Sequence, residues 1–240
     1  MYRHKKVYDI KYTDVDAYDN LKLSALLCYL EESACLSADE LGFGYEDIKD
    51  ENLGFVVVNW YIEFFRPVKL GENLEIHTWP LAPKFSIFLR CYEFFVNGEK
   101  VGVVSARWCM IDTRSFAVMP ASVFFKEGAF VNYNTEKSVD FKAWKIPRIE
   151  GAVAYSKIVT YSDYDHYFHV NNTKYADFLM DVFTVDELSG KFSKKTQISY
   201  VKQCKYGEKI EFYREDFDGF SVVEGRVDGE LRVQLRIELV

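Results

Sequence analysis

A phrase near the N-terminus, YTDVDAYDNL from Tyr12 to Leu21, returns almost unchanged as YSDYDHYFHV from Tyr161 to Val170. Tyr12, Asp14, Asp16 and Tyr18 match Tyr161, Asp163, Asp165 and Tyr167 at a constant offset of 149, and His169 falls on Asn20. A second block, IEFFRPVKLGENLEI from Ile62, matches ISYVKQCKYGEKIEF from Ile198 at an offset of 136, with Gly71 and Glu72 on Gly207 and Glu208. Late in each half stands VNGEKV at Val96 or VDGELRV at Val227, with the Asn-Gly or Asp-Gly pair that a type I′ hairpin turn requires. Three segments repeated in the same order mean that one supersecondary unit is written twice.

Each opening phrase leads into a helical pattern. Leu23, Leu26, Leu27, Leu30 and Ala34 fall on one helix face, as do Tyr175, Phe178, Leu179, Val182 and Phe183. Ser24, and Asn171 or Asn172, are the candidate N-caps, because their short side chains accept the free N–H groups of a first turn. Alternating β-rich runs follow at 55–65, 73–79, 86–96 and 101–111, then at 197–204, 209–214, 220–227 and 231–239. Seventeen tyrosines and twenty phenylalanines also favour sheet. The expected fold class is α+β, an apolar helix on an antiparallel sheet, made twice. Residues from 113 to about 150, with Pro120 and Pro147, read as the connection. The first domain is placed at 1–125, the linker at 126–150 and the second domain at 151–240.

Charge and motif content narrow the function. A formal charge of −7 argues against nucleic acid as a partner. No apolar run is long enough for a membrane span, and MYRHKKVYDIKY lacks the apolar stretch of a signal peptide. Five cysteines without CxxC spacing suggest reduced thiols and a cytoplasmic protein. There is no GxSxG elbow or P-loop, Gly42-Phe43-Gly44 lacks the third glycine of a dinucleotide fingerprint, and no spacing suggests a metal site, so no cofactor is expected.

The stretch DYDHYFHVNNTKYADFLMD, from Asp163 to Asp181, resembles the active-site motif of acyl-acyl-carrier-protein thioesterases of plants and bacteria. The family's form is approximately DxNxHVNNxKY, ahead of the central helix of the second of two tandem hotdog domains. Asp165, His169, Val170, Asn171, Asn172, Lys174 and Tyr175 match it. The resemblance runs from about residue 5 to the end and implies two tandem hotdog domains in an intrachain pseudo-dimer. The first would be a non-catalytic copy that binds the acyl chain, and the second would carry the catalytic motif. It implies hydrolysis of medium- or long-chain acyl-acyl carrier protein, with that carrier as partner; a homodimer is left open. The chain departs from the family at Tyr167, where an asparagine is usual, and at Gln203, where a glutamate credited with a catalytic role is usual. Cys204 follows it, as a cysteine does in the plant enzymes.

Thioester hydrolysis needs an activated water and a group that polarises the carbonyl. His169 precedes a helix N-terminus, whose positive end opposes a protonated ring and favours one that can accept a proton. A histidine so placed often only caps or packs, but Asn20 fills the same position in the first copy, so histidine is not needed for folding. Asp165 either orients the ring or water, or, like Asp16, stabilises the loop. N–H groups at Asn171, Asn172 and Thr173 and the Tyr167 hydroxyl are candidate donors to the thioester oxygen. Gln203 can orient water but cannot take a proton. Cys204 is either a nucleophile beside His169 or, as its counterpart Val68 suggests, a small core residue. Lysines at 191, 194, 195, 202, 205 and 209 form the densest basic series for an acidic carrier. The rival functions are an acyl-CoA thioesterase and an acyl-thioester-binding protein with weakened hydrolysis.

Overall fold

The computed structural model describes residues 2–126, 133–139, 144–165 and 168–240. The first half runs β1 (His4–Asp9), α1 (Leu23–Glu40), α2 (Tyr45–Ile48), β2 (Leu53–Phe64), β3 (Asn73–Pro80), β4 (Ile87–Val96) and β5 (Glu99–Asp112). The second runs β6 (Val153–Ile158), α3 (Asn172–Met180), β7 (Ser193–Tyr200), β8 (Lys209–Phe217), β9 (Phe220–Val227) and β10 (Glu230–Leu239). Among the described residues these ten strands form one sheet in the order β1-β3-β4-β5-β2-β7-β10-β9-β8-β6. Every neighbouring pair is antiparallel.

That order is unchanged when the two halves are exchanged. The offset of 136 takes Tyr61 onto Gln197, and these two residues are Cα partners across the β2–β7 seam. A pseudo-two-fold axis therefore passes through this pair. On the sheet's inner face Trp60, Ile62 and Ile198 join Leu26, Leu27 and Leu30 of α1 and Phe178 and Leu179 of α3 in one core continuous across the seam. On the opposite face Trp144 packs on Tyr61, ring centroids 5.0 Å apart, and its N–H donates to the Gln197 side-chain oxygen at 2.9 Å. The connecting segment thus crosses the sheet at the axis.

The repeated phrases fold alike because short-range hydrogen bonds dictate them. Asp14 accepts the Lys11 N–H at 2.8 Å and Asp163 the Thr160 N–H at 2.7 Å. Asn20 O accepts the Asp16 N–H at 2.8 Å, and His169 O the Asp165 N–H at 2.9 Å. Asp19 and Phe168 hold the same left-handed backbone, φ 61° and 60°. Asn97 and Asp228 are also left-handed (φ 51° and 50°) ahead of Gly98 and Gly229, as the hairpin signals require.

Four details depart from expectation. The strands β1 and β6 were not anticipated, since lysines interrupt their short alternation, and both lie at sheet edges, where charge is common. β7 spans Ser193–Tyr200, not 197–204: the Val201 and Lys202 N–H groups both turn to Arg232 O, at 2.8 and 3.2 Å, and the chain leaves the sheet before Gln203. Ser24 is not a cap. α1 begins at Leu23 after Lys22, which makes no side-chain cap, whereas Asn171 caps α3 by accepting both the N–H and the hydroxyl of Thr173, at 2.8 and 2.7 Å. α3 ends at Met180, so Val182 and Phe183 lie beyond it.

Candidate active site

His169 leaves its loop half-buried just before α3. Its backbone is committed, with the carbonyl accepting from Asp165 and the N–H reaching Asp165 Oδ1 at 3.4 Å. Its ring has no hydrogen-bond partner among the described residues and meets the edge of Phe116, 4.9 Å between centroids, from the turn after β5. The counterpart in the first copy is used differently: the Asn20 amide donates to Lys191 O at 3.2 Å and pins its loop to the other half. The imidazole is therefore free to act where the asparagine is structural.

Asp165 serves the loop, as Asp16 does for the N–H groups of Tyr18 and Asn20 (2.9 and 3.0 Å), and no Asp165 bond to the His169 ring is found among the described residues. Of the three expected amide donors, two are spent. Asn171 N–H donates to Asp163 O at 2.9 Å and Thr173 N–H to the Asn171 cap, while Asn172 N–H has no partner among the described residues. That donor stands at the first turn of α3, where the helix dipole is positive. The Asn172 carbonyl accepts the Tyr200 hydroxyl at 2.9 Å, which ties the turn to β7.

A carboxyl from the first half enters the same space. Cys28, Glu31 and Cys35 form a stripe along α1, which packs against α3, and the two cysteines are exposed. Between them, Glu31 is half-buried as a whole, and its Oε1 is sealed from solvent with no hydrogen-bond partner among the described residues. Burial first, and then the charge of Asp165, push the Glu31 carboxyl up to about 7. The Glu31 charge in turn acts on Tyr92 of β4 and Tyr200 of β7. Two further sealed groups lie beside Tyr200: the indole N–H of Trp60, which neighbours the Tyr200 hydroxyl, and that of Trp108, whose ring is 5.8 Å from Trp60. The Glu31 acceptor and the Trp108 donor, without partners among the described residues, suit a water or a polar ligand group.

The remaining expected residues fall elsewhere. Gln203 is exposed in the loop after β7, and its only hydrogen bond among the described residues is from Arg232 to its backbone oxygen at 3.4 Å. Cys204 is a core residue: it is fully buried, its N–H donates to the Tyr175 hydroxyl at 3.0 Å, and burial pushes its thiol up, so neither substrate binding nor nucleophilic attack fits it. Tyr167 lies outside the described residues. In the lysine series Lys195, Lys202 and Lys209 pair with Glu63, Glu230 and Glu211. Glu31 and Phe116 were missed by sequence reasoning. Each is more than 40 positions from the motif, and the one available signal was a carboxylate on the inward side of an otherwise apolar helix.

The pseudo-two-fold axis generates a second, equivalent site. It forms a cavity of about 270 Å³ lined by Asp16, Asn20, Leu23, Asp177 and Met180 among others. At the offset of 149 Met180 stands where Glu31 would, as Asn20 stands for His169. Among the described residues no group of His, Cys, Asp and Glu side chains is arranged to hold a metal, and no helix is long and apolar enough to cross a membrane.

The fold and site together define a tandem-hotdog protein whose unspent histidine sits between two halves of one chain. Two family models match almost end to end: the acyl-ACP thioesterase N-terminal domain over residues 1–123 and the acyl-ACP thioesterase C-terminal domain over 150–237. The chain belongs to the acyl-ACP thioesterase family. It is 24% identical over 214 residues to the chloroplastic palmitoyl-acyl carrier protein thioesterase of Gossypium hirsutum, a match covering 82% of this chain and 51% of that protein. It thus spans about half the length of that relative. Its fold resembles an acyl-ACP thioesterase from Bacteroides thetaiotaomicron (TM-score 0.90, 19% identity, 99% of this chain and 98% of the other). It also resembles the 12:0-ACP thioesterase of Umbellularia californica (TM-score 0.87, 16% identity, 99% and 97%). At those identities the likeness speaks for the fold alone.

Proposed function

We propose that this protein hydrolyses the thioester of a fatty acyl group carried on acyl carrier protein, releasing the free fatty acid and the carrier thiol. The observation that carries the reading is His169: its ring is half-buried just before α3 and has no hydrogen-bond partner among the described residues, while the equivalent Asn20 is a structural pin. The Asn172 N–H suits the thioester oxygen, which gains negative charge in the transition state. His169 engages the attacking water or the thioester beside it, with Phe116 limiting solvent on one side of the ring. Both halves contribute, so the chain acts as a unit. A medium or long acyl chain fits a site whose surroundings are one continuous apolar core, and the five free thiols suit a reducing, cytoplasmic setting.

The test compares release of fatty acid from acyl-acyl carrier protein and from acyl-CoA, over chains from 8 to 18 carbons. Turnover of carrier-bound substrate with kcat/KM at least about tenfold above that for CoA is expected if the carrier is recognised. Preference for CoA at every length would assign the other thioester. Binding of acyl chains without release would mark a binding protein.

A further inference from the structure

We propose that Glu31, delivered by the first half's helix, is the general base of the hydrolysis and fills the role left open by the neutral amide of Gln203. The proposal rests on the hydrolase reading above. Four observations carry it. The carboxyl oxygen Oε1 is sealed from solvent without a partner, in a chain whose other buried polar groups are almost all bonded. It lies on α1 between exposed Cys28 and Cys35, and that helix packs against α3, which follows the histidine motif. It is close enough to Asp165 for that carboxylate to act on it. Finally, Glu31 and His169 occur together in one of two pseudo-equivalent sites, and in the other both are replaced, by Met180 and Asn20. Scaffolding alone does not require the pair, because the second site folds without it.

The groups facing Glu31 are Asp165 on the motif loop, Tyr92 on β4, Tyr200 on β7, and Cys28 and Cys35 on its own helix. Arg90, which acts on Cys35 and Tyr92, is bonded to Ser37 at 2.8 Å. No lysine or arginine pairs with Glu31 among the described residues, so burial and the negative Asp165 hold its proton affinity near neutrality, where a base is most useful. In the reaction the water oxygen bonds the acyl carbon while its proton passes to Glu31. The tetrahedral intermediate then collapses with cleavage of the C–S bond, and the proton moves from Glu31 to the leaving thiolate. The products are the carboxylic acid and the free thiol. His169 holds the water or the thioester oxygen by hydrogen bond throughout.

The test measures kcat/KM against pH from 5 to 9 for the intact protein, Glu31→Gln and Glu31→Asp, on acyl-acyl carrier protein and acyl-CoA. Glu32→Gln, at the exposed next position, is the control and should stay within about twofold of the unaltered protein. The unaltered protein should show an acid limb near neutral pH. Glu31→Gln should lose about a hundredfold and lose that limb, whereas Glu31→Asp should keep the limb. Glu31→Gln at pH 8 should melt no lower than the unaltered protein, because no bond is removed. A rate within threefold with the limb in place, or a variant that fails to fold or melts more than about 5 °C lower, overturns the assignment. If the unaltered protein cleaves neither thioester, the hydrolase reading falls and this assignment with it. An active protein with an indifferent Glu31→Gln removes this assignment alone.

Discussion

Replacing Glu31 by Gln should make the stability of this protein less sensitive to pH, and the size of the effect follows from the burial of the carboxyl. In the unfolded chain the side chain titrates near its ordinary 4.5, and in the fold it is pushed up to about 7, by burial first and by Asp165 second. Below about 4.5 the group is protonated in both states and burial of its charge costs nothing. As pH rises toward 7 the unfolded chain gives up the proton and the folded one resists. Stability is therefore fully present at low pH and is lost as pH climbs through the folded pKa. At about 1.4 kcal/mol per tenfold change in proton affinity, the loss amounts to about 3 kcal/mol above pH 7. That is a sizeable share of a domain stability of roughly 5–15 kcal/mol. Gln carries no titrating proton, so its own unsatisfied groups add a constant offset that cancels from the pH trend. Urea denaturation of both proteins at pH 5, 6, 7 and 8 would read the difference directly. The advantage of Glu31→Gln should grow by about 2.5 kcal/mol across that range, the remainder having been lost below pH 5. A difference flat to within about 0.5 kcal/mol would mean that Glu31 finds a proton donor or cation in solution, and the reasoning would fail.

Three further outcomes are expected. His169→Asn installs the residue that the first copy carries, so the melting temperature should hold within a few degrees while thioester hydrolysis falls at least about a hundredfold; retained turnover would remove the imidazole from the chemistry. Asn171→Ala deletes the cap that accepts both the N–H and hydroxyl of Thr173, and should cost about 1 kcal/mol in chemical denaturation, where a null result would show that solvent caps α3 equally well. Gly102→Ala would place a Cβ 2.7 Å from the carbonyl oxygen of Glu63 in the adjoining strand, and should destabilise by about 1–3 kcal/mol or abolish soluble expression.

The site was legible where its parts are local. His169, its loop aspartate and the Asn171 cap lie within a few residues of one another, and their hydrogen bonds span two to four positions. Such bonds form whenever the phrase is present, which is why two copies 149 positions apart fold alike. The amide donors were read less well. A sequence shows that Asn171, Asn172 and Thr173 open a helix, but which N–H is left unbonded depends on the partners the loop presents, and among the described residues it is that of Asn172. Gln203 and Cys204 were placed by a family's spacing, and a strand that ends at Tyr200 turned one to solvent and the other into the core.

The sequence by itself determined that there are two copies of one unit, that a helix follows each opening phrase, where each late hairpin turns, and which copy holds the histidine. Those are consequences of periodicity and short-range bonding, and periodicity survives in a linear string. Only the tertiary structure decided that the two sheets join through β2 and β7, with Tyr61 and Gln197 on the axis, so that each motif loop faces the other half's helix. Only it could show that Glu31 lies near an aspartate 134 positions away and that Phe116 meets His169, because burial and proton affinity belong to what surrounds a side chain and not to its neighbours along the chain.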